Sequence, residues 1–121
     1  MSSENKYKYI GMTIYTNESK KKVEFNDFSF INKEVGGHFE CITIPDMTIW
    51  INEEGKIIGF PINKIASKLS NIKSIKNNTL SIIDLFRTYI VGNAVFLGVA
   101  NSNGEVESLT ESQLYFLSNY S

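Results

Sequence analysis

The sequence predicts an α+β fold, with one antiparallel β-sheet and about three helices in a single compact domain over residues 7–121, behind a loose tail over residues 1–6. Three observations carry this reading. Short runs with alternating apolar residues are bounded by turn residues. Apolar residues at helical spacing recur in three places. No repeat or linker divides the 121 residues, a length that suits one domain with one sizeable core. The central stretch runs from Ile42 to Lys64 and reads as strand, turn, strand and helix start. Met47, Ile49 and Ile51 alternate with Thr48, Trp50 and Asn52, the period of a half-buried strand. Asn52-Glu53-Glu54-Gly55 then supplies a hairpin loop with a glycine where φ > 0 is needed, Ile57 and Ile58 return the chain, and Pro61 suits the first turn of a helix.

From the N-terminus, residues 7–16 form a first strand. Lys8, Ile10, Met12 and Ile14 make its core face; Tyr7, Tyr9, Gly11, Thr13 and Tyr15 face the other way. That row of tyrosines suits another sheet, another subunit, a flat ligand, or plain packing under a helix. Asn17 to Lys22 is a solvated polar turn, and Val23-Glu24-Phe25 a short strand. Asn26 is placed to cap a helix carrying Phe28, Ile31 and Val35, which Gly36 stops. His38 to Ile44 is a strand, and Pro45-Asp46 a break. Ile62, Ile65, Ala66 and Leu69 mark the next helix, residues 70–79 a long polar loop, and residues 80–87 are ambiguous between helix and strand. Residues 88–100 are a long strand with Gly92 and Gly98 as bulge or close-approach positions. A turn over Asn101 to Gly104 and a brief return strand, Glu105-Val106-Glu107, follow. Ser108 with Glu111, or Thr110 with Gln113, then makes a capping box for a last helix that packs Leu114, Phe116 and Leu117 on the sheet.

Composition excludes several classes. A net charge of −1 and a pI near 5.8 argue against a nucleic-acid coat, which needs a basic face. Cys41 is the single cysteine, read as a small buried hydrophobe; with His38 the single histidine, neither a disulfide nor a common zinc site follows. No apolar run reaches membrane-spanning length and the polar start lacks a signal-peptide core, so a cytoplasmic protein is expected.

Two segments carry a resemblance: Lys33-Glu34-Val35-Gly36-Gly37-His38-Phe39-Glu40, and Asn52 through Lys64 (NEEGKIIGFPINK). They are similar to a family of small phage- and plasmid-borne proteins carried as a domain of unknown function, with a helix ending in V-G-G-aromatic and an N-E-E-G-K-x-x-G-x-P-x-N motif. Ile90-Val91-Gly92 and Ser108-Leu109-Thr110 match further elements, so the resemblance covers the chain from Asn26 onward. The Tyr-rich first strand and the stretch between Leu69 and Ile90 depart from it. The resemblance implies an accessory gene of a mobile element, a setting in which small oligomeric proteins bind and hide nucleotide immune signals without cutting them.

Catalysis is not expected. His38 is read first as a hydrogen-bonded strand-start residue and second as a ligand contact; Glu53 and Glu54 are turn carboxylates; Asp84 and Arg87 are spaced for a simple ion pair; and no nucleophile or phosphate-loop motif is present. Binding has more support. If Pro61 opens a helix, backbone N–H groups near Asn63 and Lys64 form an anion position, with Lys68 adding charge. Trp50 offers a stacking face, Asn52 and Asn93 offer amides, and Arg87 is the one bidentate phosphate reader. Each has a plainer role, as turn, cap or core residue, and only their clustering favours a site. The expectation is a non-enzymatic homo-oligomer without cofactor or metal that sequesters a small anionic ligand, a cyclic nucleotide or an ADP-ribose derivative, and touches no nucleic-acid polymer or membrane. The alternative is a protein–protein module that inhibits a host enzyme.

Overall fold

The computed structural model describes residues 7–76 and 89–120. Five strands form one antiparallel sheet: β1 (Tyr9–Ile14), β2 (Lys20–Phe25), β3 (Phe39–Ile44), β4 (Met47–Asn52) and β5 (Ala94–Leu97). Their order is β2-β1-β5-β4-β3, so two hairpins are joined by the last strand. Four helices accompany them among the described residues: α1 (Ser29–Val35), α2 (Gly55–Ile58), α3 (Lys64–Lys76) and α4 (Glu111–Asn119). The α+β expectation holds.

The sheet is covered on both faces. Met12, Ile14, Met47, Ile49 and Phe96 point to one side, where Ile65 and Leu69 of α3 and Leu117 of α4 meet them. Val23, Phe25, Trp50, Val95 and Leu97 point to the other, under Ile31 and Val35 of α1. Strand β5 can lie at the centre because Ala-Val-Phe-Leu is apolar on both faces. Strand β4 is likewise buried at all six positions, whereas alternation predicts only one buried face. Its polar Thr48 is tolerated there because its hydroxyl donates to the Gly98 carbonyl at 2.8 Å and accepts from Trp50 Nε1 at 2.9 Å.

Several local expectations are corrected. The tight hairpin is β3–β4, with Ile44 paired to Met47 across Pro45-Asp46, which is a turn rather than a break. Residues Asn52 to Ile58 do not form a second hairpin. Gly55 to Ile58 wind into the short α2, whose left-handed C-cap is Gly59 at φ 91°, so the positive φ falls four residues later than expected. Helix α1 begins after Phe28, with the Asp27 carboxylate accepting from Ser29 N at 2.7 Å; Asn26 instead accepts from Lys8 N at 2.7 Å. Gly36 ends α1 at φ 82°, as its place predicts. Helix α3 runs to Lys76, through much of the predicted 70–79 loop. In the sequence, Ile72 and Ile75 continue the three-residue apolar spacing from Leu69, a signal outvoted by the polar residues around them. The ambiguous 80–87 segment lies outside the described residues.

At the C-terminus the capping box is the Thr110–Gln113 pair: the Thr110 hydroxyl accepts from Gln113 N at 3.1 Å and the Gln113 side chain accepts from Thr110 N at 2.9 Å. Ser108 instead uses its hydroxyl to accept from Ile10 N at 2.8 Å, tying the chain to β1. Leu117 is fully buried and Leu114 half-buried, but Phe116 is exposed. The last turn of α4 is closed by Lys20, whose ammonium donates to the carbonyls of Leu117, at 2.7 Å, and of Tyr120. Lys20 thus leaves the predicted solvated turn and lies at the negative end of a helix. Thr110→Ala is expected to lower stability by about 1 kcal/mol, read as a fall in the thermal midpoint.

Candidate functional site

The two motif-bearing segments come together. Asn52 Nδ2 donates to the Val35 carbonyl at 3.1 Å, and its Oδ1 accepts from Glu54 N at 2.7 Å. Glu53 N donates to the His38 carbonyl at 3.0 Å, and Gly92 N to the Pro61 carbonyl at 2.8 Å. The ends of α1 and β4, the α2–α3 connection and Ile90-Val91-Gly92 therefore meet at one junction. Glycine is needed within it: a Cβ on Gly92, at φ 79°, would come within 2.8 Å of the Phe60 ring.

Asparagine side chains satisfy this junction internally. Asn63 is wholly buried: Nδ2 donates to the carbonyls of Ile14 at 2.8 Å and Gly92 at 2.9 Å, while Oδ1 accepts from Ala66 N at 3.1 Å. Its own N–H donates to the Ile90 carbonyl at 2.8 Å. Asn63, rather than Pro61, is the cap of α3; of the amides expected to hold an anion, that of Asn63 is already taken, and the Asn63 side chain occupies the helix start by accepting from Ala66 N. Trp50 lies 8% exposed with its ring 5.0 Å from Phe28 and 5.2 Å from Phe39, so no base can stack on it. Asn52 is buried, while Lys64, Lys68 and His38 are exposed. Arg87 lies outside the described residues. Cys41, expected in the core, is exposed on the edge strand β3; desolvation of its sulfur raises the thiol above the ordinary 9.0, which keeps it protonated and a poor nucleophile.

Asn93, one of the predicted site residues, lines a cleft. Its Nδ2 donates to the Glu34 carbonyl at 3.2 Å and its Oδ1 accepts from Thr16 N at 3.4 Å, pinning the last turn of α1 to the end of β1. Beside it, Lys33, Glu34, Gly36, Phe60 and Pro61 line a cleft of about 340 Å³. On the other side of Glu34 a second cleft, of about 250 Å³, is walled by Tyr7, Tyr15 and Phe30 and bordered by β2, from which Lys21 faces it while Lys22 and Glu24 alternate to the opposite face of the sheet. Glu34 borders both. Its Oε1 accepts from the Tyr15 hydroxyl at 2.9 Å.

The tyrosine face of β1 divides accordingly. Tyr9 packs under α1, 5.0 Å from Phe28 and 5.4 Å from Phe25, as simple packing predicts, whereas Tyr7 and Tyr15 line the second cleft. Glu34, Lys21 and Lys22 were not among the expected site residues. A sequence signal does exist for Glu34: a carboxylate in the last turn of a helix opposes the helix dipole, a local cost that functional positions tolerate.

Burial first, and the Glu34 bond second, raise the Tyr15 hydroxyl above its ordinary 10.0. A group raised on folding contributes stability that is complete below the unfolded value and lost as pH climbs through the folded one. The alkaline loss of stability beyond 10.0 should therefore be smaller in Tyr15→Phe, as urea midpoints across that range would record.

Among the described residues no three His, Cys, Asp or Glu side chains gather in a way that would hold a metal ion, and no helix is long and apolar enough to cross a membrane. A family model described as a domain of unknown function, DUF3846, matches residues 12–120. No curated protein and no solved structure matches.

Proposed function

We propose, from the premise that the chain belongs to the DUF3846 family, that this protein binds and sequesters a small nucleotide-type ligand without cleaving it, in the paired clefts beside α1. One observation carries the reading: Tyr7, Tyr15 and Phe30 wall the same cleft that Lys21 lines from β2, on the face of the sheet that Val23 shares. Aromatic rings bind a base face and lysines a phosphate, and neither role needs a general base. The start of α3, where the sequence alone suggested the ligand, is not the proposed site. The phage or plasmid setting, and with it a role against a host's nucleotide immune signal, is the part of the proposal motivated by the sequence resemblance.

The test is direct. Protein is incubated with nucleotides and separated from free ligand, then heat-denatured, and the released molecules are weighed by mass spectrometry. Release of intact nucleotide only after heating is the expected result; altered nucleotide would indicate an enzyme. Lys21→Ala should weaken uptake about tenfold, since a tenfold change corresponds to ~1.4 kcal/mol and one charge-assisted contact would be lost, whereas Lys22→Ala, on the other face of the sheet, should change it little.

A second reading, a protein–protein module that inhibits a host enzyme, is favoured by the apolar surface around α2: Ile57 is 86% exposed, Ile58 54% and Ile62 52%. Ile57→Asp should abolish a complex with a host protein while leaving nucleotide uptake intact. Self-association is also proposed, through Tyr115 and Phe116 on the outer face of α4, and sedimentation of Tyr115→Ser tests it.

A further inference from the structure

Glu34 stands between two clefts with its charge in a fixed orientation. The Tyr15 hydroxyl engages Oε1 at 2.9 Å, and Asn93 holds the backbone carbonyl of the same residue at 3.2 Å. The raised Tyr15 hydroxyl stays protonated at neutral pH, so it remains a donor and the carboxylate remains an acceptor. A carboxylate held by one oxygen at the border of two clefts suits hydroxyl donors and repels phosphate. Phosphate is instead served by Lys21, which lines one of the clefts. Cations and carboxylates are balanced here: Lys21 against Glu34 in the tyrosine-walled cleft, Lys33 against Glu34 in the cleft beside Asn93. Such a surface fits a ligand with a localised phosphate and several hydroxyls better than a compact polyanion.

We infer that Glu34 binds the vicinal 2′,3′-diol of a ribose, and that the ligand class is a nucleotide with a free ribose diol rather than a 3′,5′-linked cyclic dinucleotide. A carboxylate accepts from both hydroxyls of such a diol, the way acidic residues select ribose in dinucleotide sites. In a 3′,5′-linked ring the 3′ oxygen is esterified, so one donor is lost and a phosphate is brought towards the carboxylate. The inference rests on the proposed nucleotide reading and narrows it. Tyr15 is a positioning residue that acts through Glu34.

Titration calorimetry on the full chain with ADP-ribose, its 2′-deoxy analogue at the adenosine ribose and cyclic di-AMP tests it. ADP-ribose should bind, with the deoxy analogue and cyclic di-AMP each about tenfold or more weaker, the scale of a lost charge-assisted hydrogen bond. Glu34→Gln, which keeps the shape and the acceptor for Tyr15, should bring ADP-ribose down to the deoxy level and so remove the discrimination. Tyr15→Phe should reduce the discrimination without abolishing binding. Equal affinity for ADP-ribose and its deoxy analogue, discrimination that survives Glu34→Gln, or preference for cyclic di-AMP would overturn the diol assignment while sparing nucleotide binding. Failure of all three probes to bind would overturn both.

Discussion

Asn63→Ala should unfold much of this protein's stability margin. The substitution strips partners from the buried carbonyls of Ile14 and Gly92 and from the amide of Ala66. A buried polar group left without a partner costs ~1–3 kcal/mol, and loss of a helix cap about 1 kcal/mol. With partial relaxation the expected loss is about 4 kcal/mol, against a total of ~5–15 kcal/mol for a typical domain. Asn63→Asp separates the two roles of the side chain. On an exposed helix start Asp caps as well as Asn. Here the carboxylate would face two carbonyl oxygens where Nδ2 now donates, so Asp should be at least as damaging as Ala at neutral pH. Protonating that carboxylate at acidic pH restores one donor and should recover part of the loss. Urea denaturation of both variants checks this. A stable Asn63→Ala protein would mean that the α3 start is not the internal clamp its hydrogen bonds describe.

Gly11→Ala is the second severe change. A Cβ there would come within 2.4 Å of the Phe96 carbonyl oxygen and 2.8 Å of Leu97 Cδ2. The first of these is backbone in the central strand and cannot rotate away, so β1 and β5 would have to separate where Leu109 N also donates to the Ile10 carbonyl at 2.9 Å. Overpacking of this kind costs about 1–3 kcal/mol, and more where a sheet ladder must shift. Gly104→Ala is the control. It sits at φ 80° with nothing within 4 Å of the added atom, so it tests backbone conformation without crowding and should cost only about 1 kcal/mol. Thermal midpoints of the two variants should differ in that order.

Legibility from sequence followed the range of the interactions. Period-2 alternation places β1 and β4, whereas the polar Lys20 to Lys22 hide the first half of β2 behind a turn and β5 is only Ala94–Leu97 of the longer strand expected over 88–100; the helical spacing of Ile31 and Val35 and of Ile65, Ala66 and Leu69 places the buried faces of α1 and α3, because each pattern repeats within a few residues. Gly36 as a left-handed helix stop and Thr110 with Gln113 as a capping box were equally readable, since both are closed by neighbours in the chain. The hairpin assigned to Asn52 through Ile58 failed for the opposite reason. A glycine after two glutamates suits either a tight turn or a helix entry, and burial of Gly55 against Val91, far along the chain, selects the helix.

The candidate site was the least legible part. Asn52, Asn63 and Trp50 have the chemistry of ligand contacts, yet their partners are Val35, Ile14, Gly92, Phe28 and Phe39, brought near only when β5 slots between the two hairpins. The same fold sets Glu34 against Tyr15 and leaves an aromatic cleft on the tyrosine face, for which alternation alone leaves packing, a partner surface and a flat ligand all open. Local periodicity thus settled that the chain is α+β, because side-chain direction along a strand or helix is fixed by backbone geometry. Which polar groups turn inward to one another and which stay open to a guest was decided by strand order, because a hydrogen-bonding side chain is spent or free according to partners dozens of residues away.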